Sequence, residues 1–198
     1  MTGSEHPDPL ALFREDRASA RAREDPCAEL CWMATVDGTG LPHVRTIILR
    51  DLGERFGLFI NATSPKWAHL EHAPAVEVVT FYPTLNVQYR LRGESTPIGR
   101  ERMAENWANR PFGGQRLDWY YDSIQAQSTP IRSREHLVSG LEQEGQRMNG
   151  KGPPPSVNGI YLDPVQIERL DLNDPNRIHD RRRYEHTGEG WICSILVP

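Results

Sequence analysis

The chain has 198 residues with 23 Lys and Arg against 27 Asp and Glu, a net charge of −4. That length suits one domain with a core large enough to stand without staples, and the acidic balance argues against nucleic acid or an anionic membrane as partner. Sixteen Gly and sixteen Pro imply many turns rather than a helical bundle, and no apolar run approaches a bilayer span.

The three cysteines, Cys27, Cys31 and Cys193, form no C-x-x-C pair and read as reduced structural thiols. The start, MTGSEHPDP, lacks the basic residues and apolar run of a secretory signal. A cytoplasmic protein is expected, with residues 1–7 disordered and one domain over 8–198, its C-terminal segment starting near 157. His69 and His72 fall three apart in one helix, but no third ligand is evident, so no metal site is expected.

In chain order, Asp8-Pro9 is an N-cap followed by proline at the first helical position, opening a helix that Pro26 ends. Residues 30–36 form a strand, Asp37-Gly38-Thr39-Gly40 a hairpin turn, and 41–49 a second strand with Val44, Thr46 and Ile48 opposite Arg45, Ile47 and Leu49. A loop at 51–54 leads to a third strand at 56–61, and the three are expected to form a meander. Ser64-Pro65 repeats the cap-plus-proline signature before a short helix at 66–71. Strands follow at 76–82 and 87–92, then a helix at 99–108 broken by Arg110-Pro111-Phe112-Gly113-Gly114. A short helix is expected at 117–121, and Ser133 caps one that reaches about 148. Strands at 158–162, 166–170 and 191–197 close the chain. Seven or eight short strands with inserted helices point to a closed or nearly closed antiparallel barrel, which leaves few unpaired edges; a two-layer α+β sheet is the alternative.

Candidate chemistry begins at Asn176-Arg177-Ile178-His179-Asp180-Arg181. In an extended segment Arg177, His179, Arg181 and Arg183 share one face, and such a cluster calls for an anion. A solvated basic patch balanced by Asp171, Asp174 and Asp180 is an equal alternative. Arg45 and Arg50 flank an apolar strand. Ser64 and Lys66 at a helix start offer N–H groups, a positive dipole end and an ammonium to a phosphate; plain capping by Ser64 is compatible. Gln88 interrupts a strand and points either inward, where it needs hydrogen-bond partners, or outward into solvent.

These residues, in this order, resemble the pyridoxamine 5'-phosphate oxidases. The markers are Asp8-Pro9-Leu10 with Leu12-Phe13, Ala34-Thr35-Val36-Asp37, Arg45 to Arg50, Asn61 with Ser64 and Lys66, Gln88, Arg110-Pro111, the basic motif 176–181 and the terminal strand from Trp191. The resemblance implies a split β-barrel homodimer, mainly β with inserted helices, with FMN at the subunit interface. It implies that Arg45 and Lys66, with Ser64, hold the FMN phosphate. Backbone groups of Arg45, Thr46, Ile47, Ile48, Leu49 and Arg50, and of Phe59 and Ile60, would line the flavin, and Gln88, Gln125 and Arg181 would contact it. Arg177 and His179 would sit over the substrate ring as the catalytic pair, with Arg50 and Arg110 on the substrate phosphate. The implied reaction takes a hydride from pyridoxamine or pyridoxine phosphate to flavin, with dioxygen as acceptor.

The sequence departs from the family at the substrate side. Arg50 stands for a Lys, Pro65 for a basic residue, Asn106 for a Tyr and Gly114 for a Ser. Arg169-Leu170 replaces an aromatic pair, and a Gln-Ser pair aligns with Gln125-Ala126 across an apparent two-residue insertion. Two alternatives therefore stand beside the oxidase: an FMN oxidoreductase of the same fold with another small substrate, and a non-enzymatic flavin or haem binder.

Overall fold

The computed structural model describes residues 7–148 and 150–198; the disorder expected over 1–7 falls, but for Pro7, outside them. In chain order the elements are α1 (Pro9–Ala22), β1 (Leu30–Val36), β2 (Pro42–Ile48), β3 (Arg50–Leu52), β4 (Arg55–Asn61), α2 (Pro65–His72), β5 (Ala75–Tyr82), β6 (Val87–Pro97), α3 (Arg100–Ala108), α4 (Phe112–Ser123), α5 (Arg134–Met148), β7 (Val157–Asp171), β8 (Asp180–Thr187) and β9 (Gly190–Leu196). Asp8 caps α1 by accepting from the Leu10 N–H at 3.0 Å, and Ser133 Oγ accepts from the His136 N–H at 3.2 Å as α5 begins. No described helix is long and apolar enough to cross a membrane.

The strands form one antiparallel sheet in the order β2-β1-β5-β6-β7-β4-β3, with β8 on β7 and β9 on β8. β2 and β3 stand at opposite ends of that path, yet only Leu49 separates them in the chain. The sheet must therefore curl until its two ends meet, which gives the split antiparallel barrel expected from the sequence. Its interior is filled by alternate residues of the strands: Cys31 and Met33, Val76 and Val78, Tyr89 and Leu91. Phe13 of α1 enters the same core, its ring 5.0 Å from Phe56 and 4.9 Å from Tyr89. Burying a ring of this size contributes about 2–3 kcal/mol, so one side chain fastens α1 to the barrel. Cys31 is fully buried, which pushes its thiol up to about 12.

Arg17 of α1 is also buried, at 1% exposure. Its Nε donates to the Ala28 carbonyl at 3.0 Å. Its two terminal nitrogens pair with Asp51 and Glu29, each at 2.8 Å, and one also donates to the Leu49 carbonyl. A single guanidinium thus ties down the corner where β2 becomes β3.

Several expectations are corrected. The first three strands are no meander: β4 pairs with β3 and β7, not with β2. Hydrophobic alternation marks strands but not partners, and the decisive pairing comes from β7, about a hundred residues downstream. The loop at 51–54 shrinks to Gly53-Glu54 at the tip of a tight hairpin, with Gly53 at φ +77°. The helix at 99–108 does break before Arg110-Pro111, but Gly113 and Gly114 sit in the first turn of the next one, α4, which Pro111 caps and which runs past 121 to Ser123. β8 was not foreseen, because its run of charged residues hides the alternation.

The segments at 158–162 and 166–170 are one strand, β7, carried through Asp163-Pro164 by a bulge. The register of β6 on β7 shifts between Arg92 and Gly93. There the chains approach so closely that a Cβ on Gly93 would lie 2.0 Å from the Asp163 carbonyl oxygen. Backbone cannot yield as a side chain can, so Gly93→Ala is expected to cost at least about 2 kcal/mol in urea unfolding. A change under 0.5 kcal/mol would mean that the bulge relaxes freely.

Candidate active site

The split between the sheet's two ends is the site. β2 is hydrogen-bonded along one edge only, to β1. β3 covers β4 only as far as Gly57, so residues 58–60 of β4 have no strand partner on that side among the described residues. Two free strand edges, each with unspent N–H and C=O groups, therefore border a cleft of about 290 Å³. Thr46 and Ile47 of β2, Phe59, Ile60 and Asn61 of β4, Lys66 of α2 and Gln127 line it, and Arg110, Leu117, Asp118 and Tyr121 close its other end.

Lys66 stands in the first turn of α2, where Pro65 at the first helical position leaves no N–H to satisfy. The Ser64 hydroxyl makes no capping bond; it accepts from the Lys66 ammonium, and Gln127 Oε1 lies 3.5 Å from the same nitrogen. The capping expected of Ser64 is thus positional only. Burial, then the nearby Arg45 charge, lowers the Lys66 ammonium to about 8. Arg45 donates to the Met33 carbonyl at 3.1 Å and to Thr35 Oγ at 2.7 Å, and burial lowers its pKa as well. The same Thr35 hydroxyl lies 3.0 Å from His69 Nδ1. Both cations therefore rest on neutral acceptors, an arrangement ready for an anion.

At the other end Arg50 lies over the Phe59 ring, 4.8 Å from its centroid. Burial, then the charge of Arg110, lowers its pKa, and the charge of Glu29 works against that. Arg110 donates to Asp118 Oδ2 at 2.7 Å, and the Trp107 indole N–H reaches the same oxygen at 3.0 Å. Asp118 is buried at 4% exposure. Burial raises its pKa, and the charge of Arg110 works against that.

The remaining candidates lie elsewhere. Leu49 puts its side chain in the core and gives its N–H to the Glu29 carbonyl at 2.9 Å; Ile48 is exposed on the sheet's outer face. Gln88 points outward, since Val87, Tyr89 and Leu91 on either side take the interior. It sits in a cross-strand row Phe81–Gln88–Leu170–Arg181. That row's β6 member is three strand spacings from β2, roughly 14 Å along the sheet. Arg181 is oriented by buried Glu168, to which it donates at 3.0 and 2.9 Å. The alternation expected over 177–183 fails: only Arg181 and Arg183 lie in β8, while Arg177 is exposed with φ +60° ahead of it. His179 is half-buried and its Nδ1 finds no partner among the described residues.

Gln125 is not brought to the cleft. Its amide turns to Thr129 Oγ and the Pro130 carbonyl. Gln127 takes the place instead, with its N–H on Thr63 Oγ at 3.1 Å. The signal was present, since Gln127-Ser128 is itself a Gln-Ser pair, but it required a longer insertion. Asp118 and Tyr121 were also missed; a lone acid inside an amphipathic helix carries no local mark.

The family described as "Pyridoxamine 5'-phosphate oxidase" matches residues 20–145. The chain is 34% identical to a pyridoxine/pyridoxamine 5'-phosphate oxidase of Chromohalobacter salexigens over 197 residues, covering 96% of this chain and 88% of that one. It is 34% identical to the protein of that name in Alkalilimnicola ehrlichii over 194 residues, covering 96% of each. Among solved structures, PhzG of Burkholderia lata in complex with tetrahydrophenazine-1-carboxylic acid superposes with a TM-score of 0.88 at 21% identity, over 98% of this chain and 95% of that one. A pyridoxamine 5'-phosphate oxidase-related, FMN-binding protein of Nostoc punctiforme gives 0.75 at 19% identity over the full length of both.

Proposed function

We propose that this chain, which belongs to the pyridoxamine 5'-phosphate oxidase family, is an FMN-dependent oxidase of a small anionic ring compound. Pyridoxamine and pyridoxine 5'-phosphate, after which its relatives are named, are the substrates to assay first. The observation that carries this is Arg45 and Lys66, two cations on neutral acceptors beside the free edges of the split. A phosphate dianion fits the cations, and a flavin ring, with its carbonyls and N–H, fits unspent strand edges.

In this reading Arg45, Lys66 and Ser64 bind the phosphate, and the edges at Thr46, Ile47, Phe59 and Ile60 orient the ring, with Gln127 beside them. FMN, when bound, would supply the hydride acceptor and reaction with dioxygen. Arg50 and Arg110 draw the substrate's anionic group to the far end. Gln88, Arg181, Arg177 and His179 do not line the cleft of their own chain. A symmetric homodimer accounts for this, with each subunit laying its Phe81–Arg181 row against its partner's cleft. Exposed Val44 and Ile192, which share one cross-strand row of that outer face, give such an interface apolar area. The unpartnered His179 Nδ1 then meets substrate. The free thiols Cys27, Cys31 and Cys193 suit a reducing cytoplasm.

A second reading, a substrate other than the vitamer phosphates, is favoured by Asn106, Gly114 and Leu170, where the family's phosphate and flavin contacts are replaced. The experiment is reconstitution with FMN, a visible spectrum, and anaerobic mixing with pyridoxamine 5'-phosphate. Bleaching of the flavin band supports the vitamer; a bound flavin left unbleached supports the second reading; no bound flavin sinks both.

The Lys66 ammonium makes FMN affinity depend on pH. Bound phosphate favours the protonated form, so the holo pKa lies above the apo value of about 8. Between neutral pH and about 8 affinity is then flat, and above 8 it falls, by at most about tenfold per pH unit for one proton. Fluorescence titration of FMN between neutral and alkaline pH checks this, and Lys66→Arg should move the inflection upward, since a guanidinium stays charged.

A further inference from the structure

We propose that the substrate end of the cleft is matched to a singly charged anion, a carboxylate on a small ring compound, rather than to a phosphate dianion. This rests on the reading of the cleft as an FMN oxidase site and names its substrate class.

The argument is a balance of charge along the cleft. At the cofactor end Arg45 and Lys66 are held by a carbonyl, two hydroxyls and an amide, all neutral. Two positive charges stand there uncompensated. At the substrate end there are again two cations, Arg50 and Arg110, but Asp118 is in contact with Arg110. One carboxylate cancels one guanidinium and leaves a net single positive charge. Among the described residues no carboxylate pairs with Arg50, whose face is taken up by Phe59.

Asp118 is built in rather than incidental. It is buried, and the Trp107 indole fixes the oxygen that Arg110 uses, so it cannot swing aside without leaving buried donors unpaired. Gly114 leaves the guanidinium room in this pairing. A Cβ at that position would lie 3.2 Å from Nη2 and 3.3 Å from Nε of Arg110. The guanidinium therefore occupies space that any side chain at 114 would claim, and in that pose it reaches Asp118. Gly114 supplies the room and Asp118 the charge. Asn106, in α3, does not line the cleft, and one of its amide N–H groups bonds back to the Arg102 carbonyl at 2.7 Å. A phosphate brought to Arg110 would set two negative charges against the buried Asp118 carboxylate, and like charges repel. A carboxylate brings one, and its planar pair of oxygens suits the fork of Arg50.

The test uses 1-naphthoate and 1-naphthyl phosphate, which share a ring but differ in charge near neutral pH, since a phosphate monoester has its second pKa at about 6. Each is titrated into FMN-loaded protein, read by the flavin difference spectrum and by calorimetry. The wild type is expected to bind the naphthoate about tenfold more tightly, and Asp118→Asn and Gly114→Ser each to shift the ratio about tenfold toward the phosphate. Equal or tighter binding of the phosphate by the wild type would overturn the proposal. So would an unchanged ratio in both variants, or no binding of either anion with the flavin spectrum intact. If the protein takes up no FMN, the oxidase reading fails instead, and calorimetry on the same protein still decides between the anions.

Discussion

Lys66→Ala is expected to weaken FMN binding roughly thirty- to a hundredfold, the scale of one charge-assisted hydrogen bond in a partly buried site. Arg177→Ala is expected to leave FMN affinity within about threefold, because an exposed cation outside the cleft adds little to a ligand held elsewhere. It should instead cut turnover, because in the proposed homodimer Arg177 would meet the substrate held by the partner subunit. The contrast follows from placement. Lys66 lines the cleft on neutral acceptors, whereas Arg177 stands exposed in a left-handed conformation ahead of β8. Quenching of flavin fluorescence measures the first effect and steady-state oxidation the second. Equal loss of FMN in both variants would contradict the division.

Arg17→Ala is expected to destabilise the fold by about 3–5 kcal/mol, the usual result of removing one member of a buried ionic cluster. The variant strands the Ala28 and Leu49 carbonyls and leaves Glu29 to Arg21, and Asp51 to Arg21 with a longer contact to Arg14. For a chain of this size that corresponds to a fall in Tm of roughly 10 °C. The same lesion should loosen Arg50, since the lost bond to the Leu49 carbonyl fixes the residue before it. Thermal unfolding by circular dichroism checks the first claim; a loss below 1 kcal/mol would mean that Arg21 takes over the cluster.

The sequence was legible where local chemistry decides. Asp8-Pro9 and Ser133 mark helix starts because a side chain next to a free N–H needs nothing from the rest of the chain. Alternation marked the strands at 30–36 and 41–49, found at 30–36 and 42–48, without saying which face turns inward. Partnership was not legible: which edge β4 joins depends on β7, and nothing near β4 records it. The charged run of β8 hid a strand because its pattern serves ion pairs, Arg181 on buried Glu168, rather than a core. At the site, Arg45, Lys66 and Arg110 were found through ordered motifs, while Asp118 was invisible because its meaning lies in a contact with Arg110 across a turn that only the fold makes.

The single residue Leu49 between the two ends of the sheet has a consequence for how the protein is made. Arg45 and Lys66 are synthesised early and close together, yet the wall opposite them depends on β4 pairing with β7, Asn61 with Val157. Such distant pairing is slow to find, and it must wait for four helices, α2 to α5, to leave the ribosome first. A nascent chain therefore carries Arg45 and Lys66 long before the cleft that they border is closed, so the proposed cofactor site is completed only after β7 is made.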